Sequence, residues 1–216
     1  MIAAYRTVRK KTRIEMEERR SRFIATCCPL ETEEDAVSFI DSVSNEFPDA
    51  SHHVYAWLLG RDLHLQRYSD AGEPHGTAGL PVMRVLEKND LLQTGLVVTR
   101  YFGGIQLGAG GLGRAYSASA SLAVRKAGIL EFRLCRQYIV TVEYTFLESL
   151  RRNLLQAGYS SHVSDYGMDA ELRVDVPDGL ETSFERLCNN TTSGAALVEP
   201  AALVFRPLPP PDPPSV

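Results

Sequence analysis

A chain of 216 residues is too long for a stapled mini-protein and fits one large domain or two small ones, at about 100–200 residues per domain. Its 44% hydrophobic, 23% charged and 8% aromatic residues match soluble globular averages and exclude collagen, coiled coil and wholesale disorder. The formal net charge of −4 argues against a protein that coats nucleic acid by bulk electrostatics. No apolar run approaches the roughly 20 residues of a membrane span. The start, Met1-Ile2-Ala3-Ala4-Tyr5-Arg6, turns basic before any signal-peptide stretch appears. A cytoplasmic protein is expected.

The charge is polarised. Residues 1–22 carry Arg6, Arg9, Lys10, Lys11, Arg13, Arg19, Arg20 and Arg22 against Glu15, Glu17 and Glu18, a balance of +5 that leaves −9 for the remainder. Such a segment is either a strand edge guarded by charge or a phosphate-binding arm. Thr12 to Pro29 reads as two short strands turning at Glu17–Arg20. Thr32-x-x-Asp35 is a capping box, and Ala36, Ile40, Val43 and Phe47 repeat at helical spacing until Pro48. His53–Leu59 and Leu63–Tyr68 form a second hairpin around Gly60-Arg61-Asp62, and Pro81 opens a short helix carrying Val82, Val85 and Leu86.

Gly95–Phe102 reads as the most buried strand in the chain. Six glycines, Gly103, Gly104, Gly108, Gly110, Gly111 and Gly113, then fill a loop leading into a helix that ends near Ala127, with Gly128 as its stop. From Gln137 the pattern is strand Tyr138–Tyr144, helix Leu147–Ala157, strand His162–Tyr166, strand Ala170–Val176, helix Leu180–Asn189 and strand Leu197–Phe205. That β-α-β-β-α-β order predicts a ferredoxin-like module, with a linker near Leu134–Arg136. Arg206–Val216 holds six of the twelve prolines and predicts an extended tail. The expected organisation is therefore α+β: domains 1–133 and 134–205, and a proline-rich disordered tail 206–216.

The four cysteines, Cys27, Cys28, Cys135 and Cys188, have no zinc spacing and are expected as free thiols. Gly108-Ala109-Gly110-Gly111-Leu112-Gly113 spells the dinucleotide fingerprint, with Glu131 where a ribose-binding acid is sought, but hairpins precede it instead of alternating βα units. The P-loop pattern fails because no Lys-Ser or Lys-Thr pair follows. A glycine loop entering a helix presents backbone N–H groups and a positive dipole end to an anion. Arg100, Tyr101 and Arg114 bracket it with forked donors and a stacking face, Phe102 standing beside them. The candidate anion or nucleic-acid site is thus Arg100, Tyr101, Gly103, Gly104, Gly108, Gly110, Gly111 and Arg114. A second polar cluster comprises His52, Asp70, Glu73 and Thr77. It reads either as turn and cap chemistry or as a metal or acid/base site. His52 and His53 point to opposite faces of a strand, so at most one of them joins it.

Three stretches carry a resemblance to a known family. They are Asp49-Ala50-Ser51-His52-His53-Val54-Tyr55-Ala56, Ser69-Asp70-x-Gly72-Glu73-Pro74-x-Gly76-Thr77-Ala78-Gly79-x-Pro81, and Val98-Thr99-Arg100-Tyr101-Phe102-Gly103-Gly104-Ile105-x-Leu107-Gly108-x-Gly110-Gly111-Leu112-x-Arg114-Ala115-Tyr116. Together they resemble the YigZ/IMPACT family over roughly residues 1–132. The resemblance implies an amino-terminal two-layer α/β sandwich similar to the second domain of a small-subunit ribosomal protein. It also implies a ferredoxin-like second domain similar to one of translational elongation factors, and a role near translation. The eukaryotic member restrains activation of a kinase that phosphorylates an initiation factor. It carries an additional amino-terminal interaction domain with no counterpart in this sequence, so control of that kinase is not expected here.

The expected function is a non-catalytic, translation-associated regulator that binds RNA or the ribosome through the glycine loop, with a translation-factor protein as a further partner. No membrane, metal or cofactor is expected. The alternatives are a metal-assisted hydrolase or phosphoesterase built on Asp70 and Glu73, and a protein–protein adaptor.

Overall fold

The computed structural model describes residues 2–60 and 65–208, and these form two compact units that meet in sequence between Glu131 and Phe132. The first contains β1 (Ala4–Val8), β2 (Thr12–Glu18), β3 (Ser21–Pro29), α1 (Glu33–Glu46), β4 (His52–Leu59), β5 (Leu65–Ser69), α2 (Gly79–Lys88), β6 (Thr94–Tyr101) and α3 (Gly108–Ala127). Five strands make one antiparallel sheet in the order β2-β3-β6-β4-β5.

Period-two alternation divides each central strand between two apolar layers. Val54, Ala56 and Leu58 of β4 join Leu96 and Val98 of β6 under α2 and α3. Trp57 and Leu59 join Val97 on the opposite face, with Ala36, Phe39 and Val43 of α1. The capping box is present: Thr32 Oγ1 accepts the Asp35 N–H at 3.1 Å and Asp35 Oδ2 accepts the Thr32 N–H at 3.0 Å. The four strand pairings of this sheet are all antiparallel, so β6, which precedes the glycines, does not sit in the parallel sheet that a dinucleotide fingerprint requires.

The second unit continues with β7 (Ile129–Val142), α4 (Tyr144–Gln156), β8 (Ser160–Tyr166), β9 (Ala170–Pro177), α5 (Glu181–Thr192) and β10 (Leu197–Leu208). β7 lies between β10 and β9, and β8 follows β9, which is the fourth-first-third-second row of a ferredoxin-like sheet. Tyr138, Val140, Leu172 and Val174 pack with Leu150, Leu154, Phe184 and Cys188 of the two helices. The fold class is α+β. All four cysteines are free; Cys27 and Cys28 face opposite layers, and burial pushes the Cys188 thiol up to about 12. No helix among the described residues is long and apolar enough to cross a membrane.

Four local expectations change. β1 is not legible in the sequence, because its partners are remote: the Arg6 carbonyl accepts the Leu92 N–H at 2.7 Å. The expected linker Leu134–Arg136 is strand, with Cys135 opposite Pro177 and Arg136 opposite Val176. Arg206, Pro207 and Leu208 belong to β10 and not to a tail. There the Arg206 guanidinium meets Asp175 at 2.7 Å, and a proline is tolerated on a strand paired on one side. Residues 209–216 lie outside the described residues, as do Arg61–His64, which hold most of the expected second turn. The fourth change concerns the glycines: only Gly103 and Gly104 lie in the loop, whereas Gly108, Gly110, Gly111 and Gly113 are inside α3. Glycine disfavours a helix by about 1 kcal/mol per residue, and the buried stripe Leu112, Ala115, Tyr116, Ser119, Ala120 and Ala123 offsets it by packing on the sheet.

Candidate functional site

Sheet register builds the first part of the site. Arg100 stands opposite Phe23 of β3 and opposite His52 of β4, in the row that continues Leu96 and Val98 into the α2–α3 layer. Its side chain is consequently buried, at 4% exposure, between the rings of Phe23 and Phe102 at 5.5 and 5.4 Å. Nη1 donates to Glu73 Oε1 at 2.6 Å and Nη2 to Ser21 Oγ at 3.2 Å. The same Glu73 oxygen accepts the Tyr116 hydroxyl at 2.7 Å. Burial first, and then the Glu73 charge, pushes the Tyr116 phenol far above its ordinary range. Arg100 Nε is buried and has no hydrogen-bond partner among the described residues.

His52 borders this cluster. Its Nδ1 lies 3.0 Å from the Ala71 carbonyl, which can only accept, so Nδ1 carries the proton and Nε2 faces Glu73 Oε1 at 3.8 Å. His53 points the other way, to Thr99 Oγ1 at 3.1 Å. Burial, the largest influence, lowers its pKa.

Asp70 organises the loop that delivers Glu73. Oδ2 accepts the Gly76 N–H at 2.8 Å, and Oδ1 accepts those of Ala78 and Gly79 at 3.0 and 2.8 Å. Ala78 precedes α2 and has no capping side chain, so Asp70 caps that helix from eight residues upstream. Burial raises the carboxyl, but the three N–H bonds and nearby His75 outweigh it and hold Asp70 below its usual range. Thr77 Oγ1 donates to the Pro74 carbonyl at 2.6 Å. Among the described residues no group of three or more His, Cys, Asp or Glu is set to hold a metal ion. Both Asp70 oxygens are engaged by backbone N–H groups, and Glu73 Oε1 by Arg100 and Tyr116.

The structure thus brings together residues from both candidate sets. Arg100 leaves the anion site: strand parity turns it into the core, where it joins His52 and Glu73. Tyr101 faces the α1 side, donating to Asp49 Oδ1 at 2.8 Å, with Arg22 over its ring at 5.4 Å. That bond to Asp49, more than burial, raises its pKa. Gly103 is pressed against the β2–β3 turn, where a Cβ would collide with the Arg20 carbonyl. Gly108 enters α3 at φ +69°, a conformation that L side chains rarely adopt. Arg114 is exposed and folds back over the helix start, its Nη1 3.7 Å from where a Gly110 Cβ would lie.

A surface set emerges around it. Arg114, Gly111 and Leu107 share a cavity of about 220 Å³ with Met16, Glu18 and Arg19. A neighbouring groove places Arg114 near Arg84, Gly110 and Ser117. Phe102 stands beside the glycine loop at 50% exposure. Ser21 and Tyr116, which complete the buried cluster, are missing from the sequence-based set. Tyr116 is signalled by its place one turn beyond Leu112 on the core-facing stripe, where a phenol needs a partner; Ser21 has no local signal.

Residues 19–124 match the family model described as the Impact N-terminal domain. The IMPACT family member YvyE of Bacillus subtilis is 34% identical over 205 residues, covering 95% of this chain and 94% of the relative. YigZ of Escherichia coli is 37% identical over 170 residues, covering 78% and 83%. A crystal structure described as that of a hypothetical protein is similar with a TM-score of 0.61 and 30% identity, covering 94% of this chain and 99% of the other. With motifs, fold and full-length similarity in agreement, the chain belongs to the IMPACT family.

Proposed function

We propose that this protein is a translation-associated regulator that binds structured RNA, free or exposed on the ribosome, through the arginine-bearing end of its first unit. The link to translation comes from the family; the ligand class is argued from the residues. The observation that carries it is the pairing state of the arginines. Arg13, Arg22 and Arg100 are each bonded to a carboxylate, on Glu46, Glu15 and Glu73 respectively. Among the described residues, Arg19 and Arg114 have no such partner, and both line the cavity at the start of α3.

Helix α3 is 20 residues long and begins without a side-chain cap, so its first N–H groups and positive dipole end add to those two guanidinium groups. The half-exposed ring of Phe102 offers a base-stacking face. Glu18 lines the same cavity and its negative charge opposes an anion there, so the two guanidinium groups and the helix start must outweigh it. Co-sedimentation of the full chain with ribosomal subunits and with naked structured RNA across a salt series tests the reading. Saturable binding that weakens steeply with salt is expected, with the slope reduced by about one unit in Arg114→Ala. Absence of binding to either at low salt overturns it.

A further inference from the structure

We infer that the two-residue turn Arg19-Arg20 is the phosphate-gripping element of this RNA surface, held in a costly backbone conformation for the sake of its side chains; the inference rests on the RNA reading above. β2 and β3 are joined with Glu18 opposite Ser21, which leaves only Arg19 and Arg20 in the turn. Two-residue hairpin turns of type I′ need φ > 0 at both central positions, and Asn-Gly is the sequence that meets this at least cost. Here two arginines occupy them, at φ 47° and 64°.

The surroundings over-determine that conformation. Ser21 Oγ accepts the Gly103 N–H and an Arg100 Nη2 hydrogen, each at 3.2 Å, and Gly103 lies against the Arg20 carbonyl. Arg100 is in turn held by Glu73. The buried cluster therefore fixes the turn's backbone while both turn side chains stay exposed. Neither guanidinium is paired with a carboxylate among the described residues, and Arg19 reaches the cavity shared with Arg114.

Guarding a sheet edge is the competing explanation, since β2 is an edge strand. That task falls to residues along the strand, and Glu15, Glu17 and Arg13 already carry it. A strained backbone bearing forked cations at a charged surface is better explained by recognition of an anion. The planar guanidinium fork suits a phosphodiester.

The test compares the full chain, the double variant Arg19→Asn/Arg20→Gly and Arg114→Ala, each titrated against one fluorescently labelled RNA stem-loop at several salt concentrations and each melted thermally. Relief of strain predicts that the Asn-Gly variant melts higher than wild type. Loss of the cations predicts affinity weaker by about tenfold or more, and a salt slope reduced by about one to two units. A lower melting temperature overturns the strain argument. Wild-type affinity in the Asn-Gly variant, with a loss in Arg114→Ala, overturns the inference while leaving the RNA reading intact. If wild type itself fails to bind, or neither variant differs from it, the RNA reading falls and this inference with it.

Discussion

Glu73→Ala is expected to destabilise the first unit by about 3–5 kcal/mol, because it strands a buried guanidinium. Arg100 is 4% exposed and, among the described residues, has Glu73 as its single charged partner. Removing that carboxylate also takes the acceptor from Tyr116. The charge can be removed from both sides at once: a Glu73→Leu/Arg100→Met pair should recover most of the loss, since well-packed apolar replacements of buried ion pairs are often neutral. The two single variants will therefore be strongly non-additive. Denaturant titration followed by fluorescence is selective for this unit, because the chain has one tryptophan and Trp57 is buried in β4. A Glu73→Ala midpoint equal to wild type would show that the pair contributes no structural energy.

Asp70→Ala is expected to cost about 2–4 kcal/mol, by orphaning three backbone N–H donors and the start of α2. Asp70→Asn keeps an acceptor oxygen and should cost less. The carboxylate also predicts an acid limb. Its folded pKa is depressed, so its contribution is fully present above the unfolded value of about 4 and is lost as pH falls through the lower folded value. Both variants should flatten the stability profile below about pH 4, read again through Trp57. A wild-type acid limb in Asp70→Asn would assign that limb to other carboxylates.

These two residues show what the sequence makes legible. Asp70 and Glu73 stand out as a polar cluster in a loop before a helix, but the atoms they meet are set by the fold and not by the local sequence. The capping box at Thr32 and Asp35, the opposite facing of His52 and His53, and the β-α-β-β-α-β order of the second unit follow from local rules of hydrogen bonding and alternation. Arg100 is legible by the same alternation: two residues beyond Val98 and four beyond Leu96, it must share their buried face. Its partner was not, because Glu73 lies 27 residues upstream and only the register of β4, β6 and β3 brings the two together.

The glycine segment errs in the opposite direction. Local propensity reads Gly108–Gly113 as loop, yet the core-facing stripe from Leu112 to Ala123 carries the helix back through it. The proposed anion site consequently gathers at the helix start around Arg19 and Arg114, without the buried Arg100. Arg19 and Arg20 were visible as basic residues and as a turn. Their positive φ values depend on Gly103, Ser21 and Arg100, which come together through long-range pairing.

The proposed contact of RNA phosphate with the guanidinium groups at the β2–β3 turn and the start of α3, which have no carboxylate partner among the described residues, is read from the slope of log affinity against log salt for a structured RNA, in wild type and in Arg19→Ala/Arg20→Ala/Arg114→Ala. The triple variant is expected to show a slope shallower by about two to three units, with the Trp57 unfolding midpoint showing that the fold persists. An unchanged slope in a folded triple variant would contradict it.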